Sequence, residues 1–118
     1  GASEVFEGAI VSYSNSVKVQ CLSVSDSTLI EYGAVSEQTA REMACGARKA
    51  LAVDIAVSVT GVAGPGGSSD EKPLGTVWLC VAEERMTSTK LEHFDGDRES
   101  VRHCAVCSAL NMLLERLG

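Results

Sequence analysis

The chain has 118 residues, 45 % hydrophobic and 22 % charged, with a formal net charge of -6, which suits one domain over 1–118 with a real core and is too little for two. The acid excess and the lack of clustered Lys and Arg exclude a general nucleic-acid partner, because neutralising phosphates needs such clusters. No apolar run approaches the ~20 residues that span a bilayer, and Gly1-Ala2-Ser3-Glu4 holds no basic segment leading into an apolar one, so a soluble chain with no membrane partner is expected.

In chain order, Ala9-Ile10-Val11 reads as a short apolar strand. Ser12-Tyr13-Ser14-Asn15 breaks it with cap-forming residues and leads into a helix over Ser16 to Leu22. Ser25 or Asp26 caps a further short helix through Leu29 and Ile30, and Gly33 is placed to end it in the left-handed conformation. Ser36 caps the clearest early helix, with Glu37 and Gln38 in its first turn and Ala40, Met43, Ala44, Ala47 and Leu51 along one face. Alanines on that face permit close approach to a sheet.

Ile55 to Thr60 shows no steady polar alternation, which predicts a central strand covered on both faces, as in a parallel or mixed sheet between helix layers. Thr60-Gly61-Val62-Ala63-Gly64-Pro65-Gly66-Gly67 follows without a spacer. Gly75 to Ala82 and Thr87 to Phe94 read as an antiparallel hairpin around the polar turn Glu83 to Met86. Asp97 or Asp95 caps a long terminal helix whose buried face is read as Val106, Leu110, Leu113, Leu114 and Leu117. Phe6, Trp78 and Phe94 read as core aromatics. The fold class is α/β, a three-layer α/β/α sandwich with a mixed sheet.

Clustered glycines lose more conformational freedom on ordering than other residues, so they suit positions where backbone turns with positive φ or approaches a ligand closely. Thr60 to Gly67 lies at the carboxyl end of a strand, where open α/β sheets bind small molecules; a tight turn without a ligand is the competing reading. The loop lacks the terminal Gly-Lys-Ser/Thr of a P-loop and the G-x-G-x-x-G spacing of dinucleotide folds. Its backbone N–H groups can still serve an anion or a developing oxyanion. Three segments are expected to meet at one sheet edge: Ser12 to Lys18, Thr60 to Gly67, and Lys72 to Thr76.

Lys18, one turn inside a helix that starts at a strand end, can reach back over that mouth; a solvated surface lysine is the alternative. The partial positive charge of the helix amino terminus disfavours a second positive charge, a setting that suits general-base work. Lys72-Pro73-Leu74-Gly75-Thr76 either borders the mouth or only sets the strand's approach. Arg98 and Arg102 share a helix face, for exposed salt bridges or for phosphate contact. His93 and His103 lack partners at ligand spacing.

Five cysteines, Cys21, Cys45, Cys80, Cys104 and Cys107, fall in segments that read as core, which fits reduced, buried thiols of a cytoplasmic protein. Cys104-Ala105-Val106-Cys107 after His103 is a CxxC without a second pair. Core packing is therefore favoured over zinc or a redox dithiol, and no metal or cofactor is expected.

The blocks Gly1-Ala2-Ser3-Glu4-Val5-Phe6, Val11-Ser12-Tyr13-Ser14-Asn15 with Lys18, Tyr32-Gly33-Ala34-Val35-Ser36, Thr60 to Gly67, Lys72 to Val77 and Gly96-Asp97-Arg98 occur in that order. Together they resemble the CinA carboxy-terminal domain family of PncC-type nicotinamide-nucleotide amidases over the whole chain. The resemblance implies deamidation of nicotinamide mononucleotide to nicotinate mononucleotide and ammonia by a metal-free serine/lysine hydrolase. A serine attacks the amide, a lysine takes its proton and backbone donors hold the oxyanion. It implies Lys18 as the base and Tyr13 as the neighbour that positions it. Substrate contacts are expected from Ser14, Asn15, Thr60, Gly61, Ala63, Gly64, Gly66, Lys72, Gly75, Thr76 and Arg98.

The family's serine belongs to a Glu-Ser-Cys-Thr-Gly-Gly segment upstream of the block matching Gly1 to Phe6, and these 118 residues hold no such segment. The expectation is an amidase domain short of its amino-terminal strand and helix. Losing that helix would expose an apolar patch on one sheet face, which favours a homo-oligomer. The alternative is a non-catalytic homologue that binds nucleotides or oligomerises.

Overall fold

The computed structural model describes residues 6–64 and 66–117. Its elements run α1 (Asn15–Leu22), α2 (Asp26–Tyr32), α3 (Glu37–Leu51), β1 (Ala56–Gly61), β2 (Thr76–Ala82), β3 (Thr87–His93) and α4 (Arg98–Leu117). Residues 1–5 of the first family block and Pro65 of the glycine loop lie outside the described residues.

Strand alternation on β2 divides the core. Val77, Leu79 and Val81 point to one side, where Val101, Ala105, Ala109 and Met112 of α4 cover them. Cys80 and Ala82, with Trp78 beside them, point to the other, where Ala40 and Ala44 of α3 meet them. Two helices on opposite faces of one sheet give the three-layer α/β/α arrangement, and the alanines of α3 permit the close approach. A third cluster of Leu22, Val24 and Met43 fastens α1 to the outside of α3.

The sheet order is β1-β2-β3 and both pairings are antiparallel, with Val59 opposite Leu79 and Leu79 opposite Lys90. The mixed sheet is therefore not formed by the described residues: Ala9-Ile10-Val11 belongs to no strand. β2, not Ile55–Thr60, is the central strand. β1 buries its polar side chains while Val59 is exposed. Ser58 Oγ donates to Ala40 O at 2.6 Å and Thr60 Oγ1 to Ala34 O at 2.7 Å, so both hydroxyls are satisfied by backbone of the α3 layer.

Caps agree with local sequence. Ser14, Ser25 and Ser36 accept from the N–H groups of Val17, Thr28 and Thr39, which fixes the starts of the first three helices. Asp97 Oδ1 accepts from Ser100 N at 2.8 Å at the start of α4, and this bond holds its carboxyl below the usual range. Gly33 ends α2 with φ +81° but ψ 173°, outside the left-handed helical region yet still in glycine territory.

The largest departure is the face of α4. Its buried residues are Val101, Ala105, Ser108, Ala109 and Met112, whereas Leu110 is 54 % exposed, Leu114 64 %, and Val106 and Leu117 are exposed as well. Small residues win the sheet side because a helix lying over a branched-residue strand must come close, and the leucine stripe is left outside. Phe6 is likewise exposed rather than core, while Trp78 and Phe94 are partly buried against the two main clusters. Cys80 is buried, but Cys21 and Cys107 are exposed, against the expectation of five core thiols.

Candidate functional site

The glycine loop leaves β1 through a tight neck. Gly61 lies opposite Val77, and an added Cβ there would sit 2.8 Å from Val77 Cγ2 and 3.0 Å from Thr76 O, so sheet packing alone requires glycine. Val62 N donates to Thr76 O at 2.8 Å and Gly75 N to Val62 O at 2.7 Å, closing the loop at its base. Gly75 has φ +89°, and a Cβ on it would overlap the carbonyl of Phe94. Thr76 Oγ1 donates back to Pro73 O at 2.6 Å. Gly61, Gly75 and Thr76 thus shape the neck.

Farther out, Gly64 has φ +86°, and Arg98 Nη1 from the first turn of α4 donates to its carbonyl at 3.0 Å. Lys72 Nζ reaches across to Tyr32 O at 2.6 Å, while Thr60 Oγ1 holds Ala34 O. The turn from α2 to α3 is therefore gripped from two elements. Ala63 packs against the α4-side core, whereas a Cβ on Gly66 would meet nothing within 4 Å. Gly75 and Thr76 close the base of the loop, Arg98 fastens Gly64, and Thr60 and Lys72 each fasten the turn from α2 to α3. Beside it lies an open hollow of about 420 Å³, bordered by Lys72 and Thr76 together with Tyr32, Glu37, Trp78 and Leu91. Trp78 reads from sequence as a core residue only; nothing in its spacing marks it as a hollow's wall.

A second cluster stands at the start of α1. Lys18 is only 6 % exposed, and its Nζ donates to the carbonyl of Ser12 at 2.7 Å. Burial lowers its amine below the ordinary lysine value, since desolvation penalises the charged form. The surface-lysine alternative is thereby overturned. Tyr13 is 88 % exposed, and the amine donates to the Ser12 carbonyl rather than to the phenol. Ser14 serves as the N-cap of α1 and also meets Ser16 Oγ at 3.0 Å. Asn15 borders a small open hollow of about 310 Å³ with Ser16, Val19, Gln20 and Asp26. Among the described residues no hydrogen bond links this cluster to the loop cluster. The described residues hold no group of three or more His, Cys, Asp or Glu arranged for a metal ion, and no helix long and apolar enough to cross a membrane.

The family described as CinA C-terminal domain matches residues 1–117. A CinA-like protein of Syntrophomonas wolfei is 46 % identical over 117 residues, which are 99 % of this chain and 28 % of that protein. The nicotinamide-nucleotide amidohydrolase PncC of Escherichia coli is 48 % identical over 117 residues, 98 % of this chain and 71 % of its own length. Among solved structures, a CinA superfamily protein of Escherichia coli superposes with a TM-score of 0.84 at 41 % identity, covering 88 % of this chain and 60 % of that one. The competence damage-inducible protein A of Klebsiella pneumoniae gives 0.86 at 41 % identity, over 91 % and 66 %. The chain thus spans between about a quarter and seven-tenths of the length of these relatives.

Proposed function

Because the chain belongs to the CinA C-terminal domain family, we propose that it supplies the base and the loop wall of an amidohydrolase that converts nicotinamide mononucleotide and water to nicotinate mononucleotide and ammonia, as a cytoplasmic step in pyridine-nucleotide recycling. The relatives named nicotinamide-nucleotide amidohydrolase support the substrate class. The observation that carries the mechanism is Lys18, an amine buried to 6 % exposure whose protonated form is disfavoured by that burial.

In this reading a serine from residues outside these 118 attacks the amide carbonyl while the Lys18 amine takes its proton. The tetrahedral oxyanion is met by backbone N–H groups of the loop between Ala63 and Gly67; the Val62 N–H is spent on Thr76 O. Collapse breaks the C–N bond, and protonated Lys18 returns its proton to the leaving amine. Water then hydrolyses the acyl-serine ester by the same base. Tyr13, Ser14 and Asn15 border the reacting end, and Arg98 and Lys72 supply positive charge for the phosphate. Thr60, Gly61, Ala63, Gly64, Gly66, Gly75 and Thr76 shape the wall.

The test is ammonia release from nicotinamide mononucleotide by this chain extended upstream with the serine segment of a relative. Loss of release in Lys18→Met, with circular dichroism unchanged, is the expected result. Retained release would remove Lys18 as the base, and a folded extended protein that releases no ammonia would remove the amidase reading. The exposed leucines of α4 favour a second reading, a homo-oligomerising homologue without turnover; sedimentation of the extended form beside the ammonia assay separates the two.

A further inference from the structure

Helix α4 carries a cluster that the amidase reading leaves unused. Cys107 Sγ lies 3.7 Å from His103 Nε2 one turn earlier, and both side chains are exposed. Cys104, half-buried, precedes Cys107 by three residues. Helical rise and radius put Cα atoms at that spacing about 5 Å apart, inside the range of about 4.4–6.8 Å over which disulfides close, while Cβ atoms about 5–6 Å apart must approach to about 4 Å, so the turn tightens as the bond forms.

The other thiols lack this setting. Cys80 is buried in β2, where desolvation first and the neighbouring Cys45 second push its thiol up to about 11, which makes it a poor nucleophile. Cys45 is half-buried, and Cys21 is exposed on α1. The second histidine of the chain, His93, ends β3. Cys21 therefore serves as an internal standard for an exposed thiol on a helix that carries no histidine.

We propose that Cys107 and Cys104 form an oxidisable dithiol that reacts with hydrogen peroxide, with His103 accepting the Cys107 proton. The thiolate of Cys107 attacks one peroxide oxygen, the S–O bond forms and the O–O bond breaks. The departing hydroxide takes the proton held by His103 and leaves as water. Cys107 is then a sulfenic acid, its sulfur oxidised by two electrons that the peroxide has gained. The Cys104 thiol attacks that sulfur, its proton leaves with the displaced hydroxide as a second water, and a disulfide within one helical turn remains. The inference does not depend on the amidase reading.

The folded chain is treated with hydrogen peroxide, blocked with iodoacetamide and digested with trypsin, which isolates both cysteines in His103–Arg116. The expected product is that peptide short of two hydrogen atoms and without alkylation. In untreated protein, Cys107 alkylates faster than Cys21, and His103→Asn removes the advantage. Cys104→Ser stops the reaction at a sulfenic acid on Cys107 that dimedone captures. Equal alkylation of Cys107 and Cys21 in the wild-type chain would overturn the role of His103, a comparison that needs no variant to fold. A His103–Arg116 peptide that gains oxygen atoms instead of losing hydrogen would overturn the dithiol.

Discussion

The glycines of the loop separate into structural and open positions, and one pair of substitutions tests that division. Gly75 combines φ +89° with a backbone neighbour, the Phe94 carbonyl, in the volume a Cβ needs. Backbone cannot swing aside as a side chain does, and the Phe94 N–H is itself bonded to Gly75 O at 2.9 Å. A non-glycine residue at such φ costs about 1–3 kcal/mol and the forced displacement about 1–3 kcal/mol more, so Gly75→Ala is expected to lose about 2–6 kcal/mol. Small domains hold only about 5–15 kcal/mol in total. At a urea slope of about 2 kcal/mol per molar, the unfolding midpoint falls by about 1–3 M. Gly66→Ala, which meets nothing within 4 Å, is expected to stay within about 0.5 kcal/mol. If Gly75→Ala unfolded with the parent, or Gly66→Ala fell as far, the neck geometry derived above would be wrong.

Ser58→Ala removes a buried 2.6 Å bond to Ala40 O and should cost about 1–3 kcal/mol; a shift below about 0.5 kcal/mol in thermal unfolding would show that the bond carries little. For Lys18, burial places the folded-state pKa below the unfolded value of 10.5, so between the two the unfolded chain binds more protons and stability rises with pH. That contribution is complete above 10.5 and lost as pH falls through the folded value. The parent should therefore gain stability over Lys18→Met as urea titrations move from neutral to alkaline pH, and a pH-independent difference would contradict the burial. Leu114→Glu lies on the exposed stripe of α4 and should change stability by no more than about 0.5 kcal/mol. A loss above about 2 kcal/mol would mean that this face is covered in solution.

Several elements are legible because local chemistry settles them. A serine before an acidic first turn fixes α3, and β-branched runs around a polar turn fix the β2–β3 hairpin. Other assignments need tertiary facts. α4 is apolar on two sides, and periodicity cannot say which stripe meets the sheet; the smaller one does, since Ala105 and Ala109 fit against Leu79 and Val81. Ile55 to Thr60 looks like a central strand because it lacks alternation, yet Ser58 and Thr60 go inward by finding helix and turn carbonyls. At the site, the position of Lys18 follows from the helix start, and its burial does not. Neither Trp78 nor Tyr32 carries any local mark that it borders a hollow with Lys72.

The contacts that hold the rim share one trait: Thr60, Lys72 and Arg98 all end on main-chain oxygens, of Ala34, Tyr32 and Gly64. A fastening of this kind is blind to the identity of the residue it grips. Exchanges at the gripped positions that respect the local backbone leave each tether in place, so the surroundings of the mouth can drift in shape and polarity while its frame stays put. Homologous domains can on this basis diversify what they admit without rebuilding what holds them open.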